Sequence, residues 1–70
     1  MLEDKTIMLD DGCVFTGWFY DTERVFGTKT YPNGATYTGP YENNLRHGTG
    51  IKTHADGTQV LVTYQHGKRL

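Results

Sequence analysis

The sequence predicts an all-β fold, an open twisted antiparallel meander of about three stacked β-hairpins, on three observations. An Asx-Gly pair recurs at Asp11-Gly12, Asn33-Gly34 and Asp56-Gly57. The turn glycines are regularly spaced, 22 residues from Gly12 to Gly34 and 23 from Gly34 to Gly57. Three, five and seven residues past each glycine stand Phe15, Gly17 and Phe19, then Tyr37, Gly39 and Tyr41, then Val60, Val62 and Tyr64. A period in the twenties marks an array in which one hairpin cannot bury its own apolar face and uses its neighbour's; about three units are the minimum for stability.

The elements follow in order. Met1 to Asp4 reads as a polar lead-in. Ile7 and Leu9 then alternate with Thr6 and Met8, which predicts a first strand from about Lys5 to Leu9, ending at the Asp10-Asp11-Gly12 turn. Asp-Gly or Asn-Gly between alternating apolar residues is the strongest short-range hairpin signal, and the turn expected is type I′, with positive φ at both central positions. A second strand follows each turn, at Cys13 to Phe19, Ala35 to Tyr41 and Thr58 to Tyr64. Period-two reading puts Cys13, Phe15, Gly17 and Phe19 on one face and Val14, Thr16, Trp18 and Tyr20 on the other. Ala35, Tyr37, Gly39 and Tyr41, then Thr58, Val60, Val62 and Tyr64, extend the first set into one apolar row.

The return strands, about Arg24 to Tyr31 and Gly48 to His54, are rich in Thr and Lys and carry Gly27, Gly48 and Gly50. Glycine weakens a strand unless something large must come close. Aromatic rings of the adjacent hairpin are therefore expected to lie over these glycines. No stretch holds a 3.6-residue apolar period long enough for a helix, which leaves six strands.

Seventy residues make a single domain, 1–70, with a thin margin of stability, because a chain this short buries only about 60% of its unfolded surface. Cys13 is the only cysteine; it reads as a small apolar strand residue in a reducing, cytoplasmic setting. Seven Lys+Arg against eight Asp+Glu give a formal charge of −1, without the basic footprint of a nucleic-acid binder. No apolar run suits a transmembrane helix or a secretory signal. Three Phe, five Tyr and one Trp argue against disorder.

With turns, aromatics and paired glycines in place, the stretch from Tyr37 through Gly39, Tyr41, Asn44, Gly48 and Gly50 to Asp56-Gly57 resembles the MORN repeat. That pattern runs aromatic, glycine, aromatic, a loop glycine, a Gly-x-Gly pair and a final Asp-Gly. Here Tyr stands in the usual Trp place and Asn44 where glycine is commoner, a mild departure because Asn tolerates positive φ. The resemblance covers about residues 5–70. In the first unit the path to Gly27 is one residue shorter than its counterpart to Gly50, with Val25 in place of the first glycine of the pair. In the last, Val62 replaces a glycine. Such departures suit the end units of an array. The resemblance implies a non-enzymatic binding or scaffolding module, cytoplasmic and in some members associated with the cytoskeleton or with membranes, with protein segments or acidic phospholipids as ligands.

No residue pattern points to catalysis. Asp10, Asp11 and Asp56 sit at turns, where Asp is favoured because its side chain bonds local backbone, and no nucleophile stands beside a base. His47, His54 and His66 lie in different units at separations that match no zinc motif, so no metal is expected. Gly48 and Gly50 lack the helix and lysine of a phosphate loop; no cofactor and no small-molecule substrate is expected. Trp18 stands on the face opposite Phe15 and Phe19, near Val14, Tyr20 and Leu61, as a partner surface or as a ring covered by Met1 to Asp4 or a second chain. The partner-binding residues expected are Trp18, Tyr20, Tyr37, Tyr41 and Tyr64. The alternative, an anionic lipid surface, would use Arg46, Lys52, Lys68 and Arg69, fewer clustered cations than polybasic recognition normally uses. Open edges near Ile7 and Val62 predict self-association or membership of a longer array, and a purely structural oligomerisation piece is the third expectation.

Overall fold

A computed structural model describes residues 2–70 and is all-β. Eight antiparallel strands form one open sheet: β1 (Leu2–Met8), β2 (Val14–Tyr20), β3 (Glu23–Thr30), β4 (Thr36–Glu42), β5 (Leu45–Arg46), β6 (Gly48–Thr53), β7 (Gln59–Gln65) and β8 (Lys68–Arg69). Neighbours run β1-β2-β3-β4-β6-β7-β8, with β5 pairing β4. The expected long strands are present within about a residue of their anticipated bounds. Two differences stand out. β1 begins at Leu2 because residues 2–4 pair with Tyr20, Phe19 and Trp18; what read as a polar lead-in, Met1 apart, which lies outside the described residues, is strand. The two short strands β5 and β8 raise the count from six to eight.

β5 and β6 lie along the same side of β4, interrupted at His47, whose N–H donates to the Pro40 carbonyl (3.2 Å). The first unit handles the same place with one residue fewer. There the β2–β3 register shifts between Trp18 and Phe19, leaving Val25 as the extra residue of a bulge.

All three Asx-Gly turns are built alike. The Leu9 carbonyl accepts from the Gly12 N–H (3.1 Å), and the Leu9 N–H donates to the Cys13 carbonyl (2.8 Å); Tyr31 and His54 repeat the pattern. Positive φ falls on Gly12 (88°), Gly34 (92°) and Gly57 (94°), and not on the Asx before them. Each is thus a three-residue loop, a type I turn closed by a left-handed glycine bulge, in place of the type I′ turn expected. The Asx side chain supports this form: Asp11, Asn33 and Asp56 Oδ1 accept from the N–H groups of Cys13 (3.0 Å), Ala35 (3.0 Å) and Thr58 (2.9 Å). Paired positive φ appears at the other end of the hairpins, at Asn43-Asn44 (52° and 65°) and His66-Gly67 (49° and 87°).

The core sits on one face of the sheet and comprises Phe15, Phe19, Tyr37, Tyr41, Val62 and Tyr64. Gly17, Gly27 and Gly39 lie in register side by side, and Gly50 continues the lane toward Val62. A Cβ on Gly27 would lie 2.6 Å from Phe15 Cζ, and one on Gly50 2.6 Å from Tyr37 Cζ. The rings do lie over Gly27 and Gly50; Gly48 instead takes a left-handed φ of 96° beside Pro40, with no aromatic ring over it among the described residues. Above that lane the aromatics run in a zigzag, Phe19–Phe15–Tyr41–Tyr37–Tyr64, with centroids 5.2–6.4 Å apart and planes at 84–88°. Each edge-to-face pair contributes about 0.5–1.5 kcal/mol beyond the area it buries.

Candidate partner-binding surfaces

The two faces of the sheet carry different chemistry. On the face opposite the core, threonines pair across strands: Thr6 with Thr16 (3.1 Å), Thr28 with Thr38 (2.8 Å) and Thr49 with Thr63 (3.2 Å). Near the β1 edge this polar surface gives way to an apolar groove of about 270 Å³, lined by Leu2, Trp18, Val25 and Phe26. Trp18 is 47% exposed and Phe26 the same, while Leu2 and Tyr20 are 53% and 56% exposed. Register brings them together, because Leu2 pairs with Tyr20 and Phe26 with Trp18. Residues 2–4 flank Trp18 without covering it. Leu61 shares this face but stands in the third unit, in a row with Ile51 and Thr38.

Of the residues expected at a partner surface, only Trp18 and Tyr20 are accessible. Tyr37 is fully buried, and Tyr41 and Tyr64 are 8% exposed. This corrects the expectation for those three: their row is the hydrophobic core, because its rings pack on one another and the long side chains over it close the face. Val60 lies on the part of β7 that β8 does not pair with and is 37% exposed.

Those long side chains are cations. Pairing places Lys5, Arg24, Lys29, Arg46, Lys52 and Arg69 on the core face. Arg24 stacks over Phe15 (5.6 Å) and Tyr41 (5.8 Å), Lys5 over Phe19 (5.5 Å) and Lys29 over Tyr31 (5.1 Å). Arg46 lies 4.3 Å from the Tyr64 ring and donates from one guanidinium nitrogen to the hydroxyls of Tyr31 (3.1 Å) and Tyr64 (3.3 Å). Arg24, Lys29, Arg46 and Tyr41 border a cavity of about 160 Å³. The buried hydroxyls of Tyr37 and Tyr41 have no hydrogen-bond partner among the described residues. Burial pushes the Tyr41 phenol up to about 12, against the opposing pull of Arg46 and Arg24. It also raises the Tyr37 phenol, so neither ionises near neutral pH.

The four cations considered for a lipid surface are not one cluster. Arg46 is committed to the core rings, Lys52 and Arg69 share its face, and Lys68 pairs with Gln65 on the other. Cys13 is buried at 2% exposure. Desolvation, and then its neighbour Asp11, push its thiol up, away from the reactive thiolate.

One grouping escaped the sequence. His47 and His66 are 19 residues apart in different units, yet their rings lie 4.7 Å apart, and both face Glu42, at 3.5 Å and 3.6 Å. His47 follows Tyr41 by six residues and His66 follows Tyr64 by two, so the repeat itself held no signal for the pairing. His54 remains apart from them, at the third turn.

No protein-family model matches the chain, and no curated protein matches it.

Proposed function

We propose that the chain is a non-enzymatic protein–protein interaction module of the MORN-repeat type, which holds an extended segment of a protein partner alongside β1. The supporting observation is the exposed apolar groove of Leu2, Trp18, Val25 and Phe26 beside the open strand edge of β1. A segment pairing with that edge would set every second side chain on the Trp18 face, where the groove receives it. Backbone bonds then supply affinity, and the indole supplies selectivity.

Selection from a library of extended peptides tests this. Peptides with apolar residues at alternate positions should be enriched on the wild-type chain and lose at least about tenfold in affinity on Trp18→Ala, an anchor-sized loss of about 1.4 kcal/mol, while circular dichroism stays native. Equal affinity for both proteins would sink the proposal. Collapse of the fold in Trp18→Ala would instead mark the ring as structural.

The one-sided placement of six cations favours a second reading, binding to an anionic membrane. Co-sedimentation with phosphatidylserine vesicles separates the two: salt-sensitive binding that survives Trp18→Ala belongs to this second reading.

A further inference from the structure

We propose that Glu42, His47 and His66 form a binding site for a zinc-class divalent ion, which fastens the β7–β8 turn to the end of β4. One ligand atom from each of the three lies within 4.8 Å of the other two. Glu42 Oε2 is 3.5 Å from His47 Nε2, and Oε1 is 3.6 Å from His66 Nε2. Tetrahedral zinc with bonds of about 2.0–2.1 Å holds its donors roughly 3.4 Å apart. Each contact is close to that separation, but the two run through different carboxylate oxygens, so the ion is held by one oxygen or by both together, and rotation of the exposed Glu42 and His66 side chains brings the donors onto it.

The donor set selects the ion. Two imidazoles and a carboxylate suit zinc, cobalt, nickel or copper, whereas magnesium and calcium want oxygen donors. The carboxylate uses different oxygens toward the two rings, so a single ion takes the place of two long, solvent-exposed contacts. The side chains are 33–55% exposed; an ion reaches them without opening the fold, and three protein ligands leave a coordination position to water.

Binding also carries a distinctive proton shift. His47 Nδ1 accepts from the His66 backbone N–H at 3.2 Å, so the neutral ring holds its proton on Nε2, facing Glu42. Coordination through Nε2 moves that proton to Nδ1 and gives up this one hydrogen bond at an exposed turn. The site rests on side-chain positions alone and is independent of the proposed partner groove.

The experiment titrates the tag-free full chain with zinc chloride, following heat and the histidine ring nitrogens by NMR, and repeats the titration with cobalt. Saturable uptake of one ion, a visible cobalt spectrum of low coordination number and transfer of the His47 proton from Nε2 to Nδ1 are expected. His47→Gln, His66→Gln and Glu42→Gln should each weaken uptake at least about tenfold with native circular dichroism, whereas His54→Gln should not. Absence of saturable uptake at millimolar zinc overturns the site. So does uptake that persists in the His47→Gln/His66→Gln double variant, or that disappears in His54→Gln.

Discussion

Glycine serves two separate purposes in this chain, and single substitutions tell them apart. At Gly34 a Cβ would meet nothing within 4 Å, but φ is 92°. Gly34→Ala therefore meets only the strain of a left-handed backbone, about 1–2 kcal/mol. At Gly50 the space belongs to the Tyr37 ring, so Gly50→Ala forces the core apart and costs about 3 kcal/mol. Thermal melts should separate them clearly, since each kcal/mol moves Tm by roughly 4–8 °C in a domain of this size; equal shifts would show that the ring yields. The turn aspartates act through charge. Backbone N–H groups of Cys13 and Thr58 hold the Asp11 and Asp56 carboxyls below their ordinary 3.8. The folded chain thus binds fewer protons than the unfolded one, and the stability gained is complete above about pH 4 and lost as pH falls through the lowered values. Asn33 makes the same bond without titrating. Asp11→Asn/Asp56→Asn should accordingly flatten the acid limb of Tm against pH, and an unchanged limb would count against the turns as its source.

At the scale of elements, alternation along β2 and β4 was legible, because Phe15, Gly17 and Phe19, and Tyr37, Gly39 and Tyr41, fall on every second position. The turns were legible as turns but not by type: type I′ and type I with a glycine bulge both place left-handed glycine after Asx, and the Asx φ and the hydrogen-bond partners distinguish them. Residues 2–4 were not legible as strand, since an edge strand is fixed by pairing with β2 and needs little apolar pattern of its own. Nor could the sequence reveal that Tyr37, Tyr41 and Tyr64 are closed over, because that depends on Arg24 and Arg46 reaching across strands. Arg46 is the clearest strut, on β5 but bonded to Tyr31 and to Tyr64 of β7. Arg46→Ala should cost about 2 kcal/mol and Arg46→Lys less, since lysine retains the stem and charge but not the planar fork. Chemical denaturation measures both, and equal losses would point to the fork as the whole contribution.

The whole molecule is a ribbon 35 × 24 × 18 Å with two ends of unlike character. β1 presents its full length, and β7 is covered by β8 only at Tyr64 and Gln65, with Val60 and Leu61 exposed beside the open part. Such edges invite further strands. Sedimentation velocity should show association growing with concentration, and Leu61→Lys, which sets a charge beside the β7 edge, should reduce it. A monomer at every concentration would assign the edges to other partners. The Trp18 surface was anticipated, but Leu2 was not seen to join it, because its pairing with Tyr20 carries no apolar pattern of its own; the histidine pair was hidden because residues 47 and 66 come from different units.

The identity of the Asx-Gly turns has a practical corollary for protein engineering. Residues 35–57 begin after one such turn and finish on another, and Gly34 and Gly57 share the same φ within 2°. Joining a second copy of 35–57 directly after Gly57 recreates the junction the chain already makes between Gly34 and Ala35. The segment is a cassette, and a longer ribbon can be written by copying it without inventing a linker.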